Sequence, residues 1–194
     1  MQDKITLGLK YAMLNSVEKA KESGNEQGFL ICKNKDGKWS ASWKNCEGDS
    51  CSMDIDMSPG LCQEKKIQGF FHVHPEISSE EERLGRKLTK DDIKNAMIRD
   101  KKGNILTLQT PSHADVLTTL LTKCEKITEG TICTTSDLEP DKVGCWTSKK
   151  GAANFATCYY AKRDRVLTKN KDIEPKMWIK HLFNKEVIDL KNIH

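Results

Sequence analysis

The nine residues Ile67–Pro75, with the sequence IQGFFHVHP, decide the fold. Turn-forming and charged residues precede this stretch, and its short apolar run predicts a β-strand. Proline has no N–H group to offer a sheet ladder, so the strand should end at Pro75. Residues two apart on a strand point to the same side of the sheet. The side chains of His72 and His74 are therefore expected to project together at the end of this strand.

Helices and short strands are predicted on both sides of this stretch. Apolar residues recur at helical spacing over residues 4–23, and a glycine at position 24 ends that helix. The other predicted helices cover residues 89–102, 113–124 and 175–193. The other predicted strands cover residues 28–32, 39–43, 105–108, 131–135, 143–147 and 155–161, and residues 45–64 are predicted to be a long loop. The pattern indicates an α/β fold, with a mixed β-sheet flanked by helices.

The composition excludes several classes of protein. Of the 194 residues, 37% are hydrophobic and 31% are charged, which is typical of a folded domain and not of a disordered chain. The net charge is only +4, and the basic residues are scattered, which argues against nucleic-acid binding. No segment reaches the roughly 20 apolar residues of a membrane span. The chain begins without a signal-peptide pattern, so a cytoplasmic location is expected.

The eight cysteines do not form a zinc-ribbon pattern, because no two of them are separated by two residues. Three cysteines lie in apolar strand-like runs, where we expect them to pack as small hydrophobic side chains: Cys32, Cys133 and Cys145. Cys46 and Cys51 flank a turn, so a Cys46–Cys51 bridge is a hypothesis, and a bridge from Cys46 to Cys62 is its alternative. Disulfides are rare inside most cells, which counts against both.

Two imidazoles at one strand end can bind a single cation, and neutral imidazole is a good zinc ligand. Catalytic zinc commonly takes three protein ligands, so a third is needed. The best candidate is Asp115, in the first turn of the helix that follows Ser112, where the helix dipole favours a carboxylate. Ser112 itself is predicted to cap that helix. The competing interpretation is two unrelated surface histidines where a strand meets a loop.

A carboxylate beside a metal site can take and return the proton of an attacking water. Glu26 fits this role because it closely precedes the apolar strand 28–32. The chain thus contains a glutamate before a strand, His72-Val73-His74-Pro75 at a strand end, and Ser112-His113-Ala114-Asp115 at a helix start. In this order and context the three motifs resemble the JAMM/MPN+ zinc metalloprotease family, over roughly residues 5–160.

The resemblance implies a role for each matched residue. His72, His74 and Asp115 would bind Zn²⁺. Glu26 would act as the general acid/base, and Ser112 would stabilise the oxyanion of the tetrahedral intermediate. The resemblance also implies a single JAMM/MPN-like domain, of the cytidine deaminase-like type, over residues 1–165. Residues 166–194 would be a C-terminal extension that carries the predicted amphipathic helix.

One departure from the family concerns spacing, because 37 residues separate His74 from Ser112 here and the family has far fewer. Either residues 76–110 are an insertion after the metal-binding strand, or the third ligand lies elsewhere. The rival ligand is Asp92, in a Thr-x-x-Asp string that begins at Thr89.

The expected function is a zinc-dependent hydrolase that cleaves peptide or isopeptide bonds. Its partner would be a protein or peptide substrate, and the family resemblance extends this to conjugates of ubiquitin-like modifiers. A non-catalytic MPN-type scaffold is the first alternative, and another metal-dependent hydrolase, such as a phosphoesterase, is the second. The apolar face of the predicted C-terminal helix leaves a homodimer open, although packing onto its own domain accounts for it as well.

Overall fold

A seven-stranded mixed sheet is the frame of the computed structural model, which describes residues 1–49, 55–63, 65–92, 111–152 and 181–194. The strands are β1 (Gln27–Lys33), β2 (Trp39–Ala41), β3 (Cys46–Glu47), β4 (Lys66–His74), β5 (Thr128–Ser136), β6 (Lys142–Ser148) and β7 (Phe183–Asp189). Their order is β2-β1-β4-β5-β6-β7, and β3 also pairs with β1. Only β4 and β5 run parallel among these pairs, so the sheet is mixed, as predicted.

Three α-helices accompany the sheet in the described residues: α1 (Leu7–Ser23), α2 (Glu76–Leu84) and α3 (His113–Cys124). The Thr6 side chain caps α1 by accepting a hydrogen bond from the Leu9 backbone N–H, and Gly24 ends it in the left-handed conformation. Ser112 caps α3 in the same way. Both helices begin and end close to where the sequence predicts. A further helical turn begins at Lys90, as expected from Thr89.

The sheet is covered on both faces. On one face, α1 packs Leu9, Met13 and Val17 against Phe71 and other buried residues of the strands. On the other face, α3 packs Val116 and Leu120 against a second cluster of buried side chains. Burial of these two apolar surfaces is the main source of stability. The prediction of a mixed α/β architecture with helices against the sheet is confirmed.

The central strand β4 is fixed by a close backbone contact. A Cβ atom on Gly69 would lie 1.8 Å from the backbone oxygen of Thr131 in β5, so only glycine fits at this position. The pairing register also shifts between Ile67 and Gly69, which marks a bulge. Beyond this point the register is regular as far as His74 opposite Ser136. The two histidines are thus held by a strand with neighbours on both sides.

The predicted C-terminal helix is wrong from Phe183 onward, whereas His181 and Leu182 are helical. Residues 183–189 form β7, which pairs antiparallel with β6, and a 3₁₀ turn follows over Leu190–Asn192. Leu182 and Phe183 do pack into one core cluster, as their apolar character predicted, and Ile188 lies in the cluster on the other face of the sheet. Pairing with β6 satisfies the backbone polar groups along the sheet, and this tertiary effect overrides a weak helical pattern.

The predicted cysteine pairs are wrong as well. Cys62 is bonded to Cys32, and Cys46 is a free thiol. Cys133 and Cys145 lie directly opposite each other in β5 and β6 and form a second disulfide. Cys32, Cys133 and Cys145 are buried, as expected, but they are cross-linked and do not act as simple hydrophobic side chains. Cys124 is disulfide-bonded too. Disulfides persist mainly in oxidising compartments, so these bridges count against the cytoplasmic location, which stays a prediction.

Cys62→Ser is expected to lower the melting temperature by roughly 10 °C, because the Cys32–Cys62 bridge spans 30 residues and such a loop contributes about 3–4 kcal/mol in the chain-entropy model. Cys46→Ser is the matched control, since Cys46 carries no bridge. Thermal unfolding of both variants without reductant makes the comparison. Equal melting temperatures for the two variants would mean that the bridge contributes nothing.

Several predicted elements lie outside the described residues. These are the strands over 105–108 and 155–161, most of the helix over 89–102, and the first part of the tail, 166–180. No helix in the part of the chain that the structure describes is long and apolar enough to cross a membrane.

Candidate metal centre

His72 and His74 lie at the carboxyl end of β4 and project from the face that α3 covers. Their neighbour Phe70 belongs to the apolar cluster on that face, and Phe71 and Val73 belong to the cluster on the other face. The two Nε2 atoms are 2.8 Å apart, and the ring centroids are 4.7 Å apart. The prediction that both imidazoles leave the strand on one side is confirmed by this geometry.

Glu26 reaches the same place from the neighbouring strand. Gln27 pairs with Val73, so Glu26, one residue earlier in an antiparallel strand, comes next to His74. Its backbone is fixed on both sides, because its N–H donates to the Asp49 carbonyl and its own carbonyl accepts from the Gly48 N–H. One carboxylate oxygen of Glu26 and one nitrogen from each histidine all lie within 4.8 Å of one another.

Asp115 reaches the site from α3, the helix that covers this face of the sheet, and it lies in the first turn of that helix. Its Oδ2 atom is 3.5 Å from His72 Nε2. The same side chain takes part in a capping box, in which Asp115 accepts a hydrogen bond from the Ser112 backbone N–H and the Ser112 hydroxyl accepts one from the Asp115 N–H. The structure therefore brings Glu26, His72, His74 and Asp115 together, and Ser112 lies exposed at the helix cap beside them.

Burial governs the ionisation of the two histidines. His72 is 3% exposed, and burial lowers its pKa from 6.5 to about 4. Burial and the proximity of His72 lower the pKa of His74 to about 3, with a smaller opposing effect from Asp115. Both rings are thus neutral at physiological pH, which is the form that binds metal ions.

The two carboxylates of the site differ in their surroundings. Burial raises the pKa of Glu26 from 4.5 to about 7, and the nearby carboxylates of Asp115, Asp49 and Glu76 contribute to this rise. Burial also raises the pKa of Asp115, but the hydrogen bonds of the Ser112 cap and the proximity of His74 act in the opposite direction. Opposing effects therefore act on the pKa of Asp115, whereas all of the effects on the pKa of Glu26 raise it.

The donor set fits a transition metal ion. Two neutral imidazoles with one or two carboxylates are the ligands found in catalytic zinc sites, and zinc does not require a soft sulfur ligand. Hard cations such as Mg²⁺ and Ca²⁺ favour sites made of oxygen ligands alone, which this is not. The Glu26/His72/His74 group can hold a metal ion, and the identity of that ion belongs to the proposal below.

The rival ligand Asp92 is engaged in a different interaction. Its two carboxylate oxygens accept hydrogen bonds from the Arg86 guanidinium at 2.7 and 3.1 Å, and the Thr89 N–H also donates to it. The Arg86 hydrogen bonds and the Thr89 cap hold the pKa of Asp92 well below its usual range. The Thr89-x-x-Asp92 string is thus a helix cap with a bidentate ion pair, and these two roles account for it without a metal.

Asp92→Ala is expected to leave the zinc content of the protein unchanged, because its carboxylate is already paired with Arg86. Elemental analysis of metal-loaded protein, beside wild type, measures this. Loss of zinc from the variant would transfer the third ligand position to Asp92.

Asp137 is a residue of this region that the sequence interpretation missed. It follows β5, is 4% exposed, and accepts hydrogen bonds from the Ile77 N–H at 3.2 and 3.3 Å. Pro75 at the start of α2 offers no side-chain cap, so Asp137 caps this helix from another strand. Its own N–H donates to the His74 carbonyl. Parallel strands end at the same edge of a sheet, so the pairing of β4 with β5 would have indicated this neighbour.

Asp137→Ala is expected to weaken zinc binding by about 10-fold, the low end of what loss of an outer-sphere partner costs, because the chain that follows His74 loses the anchor between the Ile77 N–H and the Asp137 carboxylate. Asp189→Ala is the matched control, since Asp189 caps the 3₁₀ turn Leu190–Asn192 after β7. Competition with a chromophoric chelator measures both affinities. If both variants bind zinc as the wild type does, Asp137 serves the fold alone.

Comparison with known proteins adds no relative to this picture. No protein-family model matches the chain, and no curated protein matches it either. The assignment of a metal centre therefore rests on the geometry of its residues, and membership of the JAMM/MPN+ family stays a prediction.

Proposed function

We propose that this chain is a zinc-dependent hydrolase that cleaves peptide or isopeptide bonds. One observation carries the proposal: ligand atoms of Glu26, His72 and His74 lie within 4.8 Å of one another, and Asp115 lies 3.5 Å from His72. Two neutral imidazoles flanked by two carboxylates of different character are what metal-assisted hydrolysis requires. The four residues come from three separate segments of the chain, and a convergence of this kind is typical of a functional site.

The surroundings of the two carboxylates support different roles for them. When bound, zinc would polarise the scissile carbonyl and make a water acidic near neutral pH. His72, His74 and Asp115 would hold the ion, since the hydrogen bonds of the Ser112 cap favour the ionised form of Asp115. Glu26, whose pKa is raised to about 7, would take the proton of the attacking water and return it to the leaving amine.

The alternative ligand set uses Glu26 in place of Asp115. It is favoured by the short mutual distances within the Glu26/His72/His74 group. The carboxylate that is not a ligand would then be the general base, and Asp115 would have to act while its Oδ2 accepts a 2.6 Å hydrogen bond from the Ser112 N–H. That hydrogen bond favours the ionised form of Asp115, whereas all of the effects on the pKa of Glu26 raise it, so we favour Asp115 as the ligand.

The substrate class is proposed from the same resemblance. Proteins of the JAMM/MPN+ type cleave peptide or isopeptide bonds, often at the C-terminus of ubiquitin-like modifiers, and we propose a protein or peptide substrate for this chain. The scaffold and phosphoesterase alternatives differ from this proposal in metal content and in substrate, respectively.

Zinc stoichiometry and zinc-dependent hydrolysis test the proposal together. Tag-free protein should contain about one zinc ion per chain, and it should cleave fluorogenic peptide or isopeptide substrates. A chelator should abolish that cleavage, and added zinc should restore it. Protein that takes up no zinc even after reconstitution would leave the scaffold alternative. Zinc with hydrolysis of phosphoesters alone would support the phosphoesterase.

A further inference from the structure

A cavity lies away from the candidate metal centre, at the other end of β4. It has a volume of about 590 Å³, within the usual range for small-molecule sites. Ile67 of β4 and Thr128 of β5, which are paired in the sheet, are two of its lining residues. His72 and His74 are at the opposite end of the nine-residue strand, so roughly 17 Å and roughly 23 Å of β4, respectively, separate them from Ile67.

The side chains around this cavity are strongly basic. Four lysines line it, from the start of β4 and from the end of α3 and the turn after it: Lys65, Lys66, Lys123 and Lys126. Glu129 is the one acidic residue among the described residues that line it, and it lies 3.9 Å from Lys123. The described lining therefore carries about three uncompensated positive charges, and the whole chain has a net charge of +4. Like charges repel, and an anion bound among these lysines would relieve that repulsion.

Backbone strain at Lys126 points to the same conclusion. The Lys126 N–H bonds to the Lys123 carbonyl and the Ile127 N–H bonds to the Thr122 carbonyl, which together make a Schellman motif at the end of α3. Lys126 occupies the left-handed position of this motif, with φ of +62°, where glycine is the usual residue. A lysine at a helix C-terminus gains from the helix dipole without adopting this conformation, as Lys123 does. The left-handed conformation serves the Schellman motif, which glycine would form at a lower cost, so a positively charged side chain beside the cavity is the feature that lysine adds here.

The chemistry of the lining selects the type of anion. Lysine ammonium groups are compact point charges that suit phosphate oxygens, and four of them can bridge several phosphates. Thr128, which is buried, contributes a hydroxyl whose hydrogen can be donated to a phosphate oxygen. A cavity of this size has room for a chain of two or three phosphates. We infer that this lysine cavity binds a compact polyanion with two or more linked phosphate groups.

Calorimetric titration of the full chain with inorganic tripolyphosphate, at about 0.15 M salt, tests this inference. Binding should be saturable with one site per chain, and Lys66→Gln with Lys126→Gln should weaken it by at least tenfold. The control pair is Lys19→Gln with Lys150→Gln, two exposed lysines that do not line the cavity and should leave the affinity unchanged. Equal weakening in both pairs, no binding, or equally tight binding of an acidic peptide would overturn the inference.

Two further variants distinguish binding at the lysine cavity from a purely structural role of Lys126 and from binding at the metal centre. Lys126→Gly should weaken tripolyphosphate binding and raise the melting temperature by roughly 2 °C, because glycine relieves the left-handed strain. A lower melting temperature with unchanged binding would make Lys126 structural and would overturn its role. His74→Ala should bind tripolyphosphate as the wild type does. Loss of binding in that variant would place the anion at the metal centre and would also overturn the inference.

Discussion

Glu26→Gln is expected to keep about one zinc ion per chain and to lose hydrolysis by roughly 10²- to 10⁴-fold, the usual contribution of a general base. The side chain lies within 4.8 Å of both histidine ligand atoms, and its pKa is raised to about 7. It can therefore exchange a proton at neutral pH, whereas glutamine has the same shape and cannot. Elemental analysis and initial rates on the same preparation measure the two quantities.

The control for this variant is Glu47→Gln. Glu47 lies on β3 opposite Gln27, so it is close to Glu26 in the sheet, but it is exposed and accepts a hydrogen bond from Asn25. Its loss should change neither zinc content nor rate. If Glu26→Gln loses zinc and Glu47→Gln does not, Glu26 is a ligand, and the group of Glu26, His72 and His74 is the metal site itself.

The metal-bearing part of the fold could be predicted from the sequence because its signals are local. The alternation of His72 and His74 and the stop at Pro75 depend only on strand geometry. The Ser112–Asp115 capping box depends only on the first helical turn. What brings these local motifs together is the order β1-β4-β5 with α3 on one face, which no single motif contains. The resemblance of motif order predicted that convergence, and residue spacing alone did not.

The parts that failed depend on contacts between distant residues. Cys32 and Cys62 are 30 residues apart, and their pairing follows from the packing of the Pro59–Cys62 turn against β1 and β4. The tail carries apolar residues at a spacing that suits a helix or a strand, and pairing with β6 decides between them. Asp137 is an ordinary acid in the sequence, and it becomes a helix cap only because β5 runs parallel to β4. In each case a contact between distant residues decides the structure, either against the local pattern or where the local pattern makes no prediction.

The two carboxylates of the centre illustrate how position sets chemistry. Glu26 and Asp115 are both half-buried beside the same pair of imidazoles, and burial alone would raise the pKa of each. The helix cap around Asp115 offsets part of that rise, whereas the carboxylates of Asp115, Asp49 and Glu76 add to the rise at Glu26. These surroundings favour Asp115 as a ligand and Glu26 as a proton carrier, a division of roles typical of acid–base sites.

Asp115→Asn tests this division, and it is expected to weaken zinc binding by more than the roughly 10- to 100-fold that an outer-sphere partner contributes. Asparagine keeps an oxygen that can accept the Ser112 N–H, so the start of α3 should survive while the negative ligand is removed. Competition with a chromophoric chelator measures the affinity, and melting temperature reports the fold. If the Asp115→Asn variant binds zinc with wild-type affinity, Asp115 is not a ligand.

Ser112→Ala completes the test, because it breaks the other half of the capping box without touching the carboxylate. It should cost about 1 kcal/mol of stability and keep its zinc. If Ser112→Ala loses zinc to the same extent as Asp115→Asn, both effects arise from the damaged helix cap. Asp115 would then not be a ligand. If Ser112→Ala keeps zinc and loses roughly 10²-fold or more in rate, its hydroxyl stabilises the oxyanion, as the family resemblance implies. Unchanged rates would leave Ser112 as a helix cap alone.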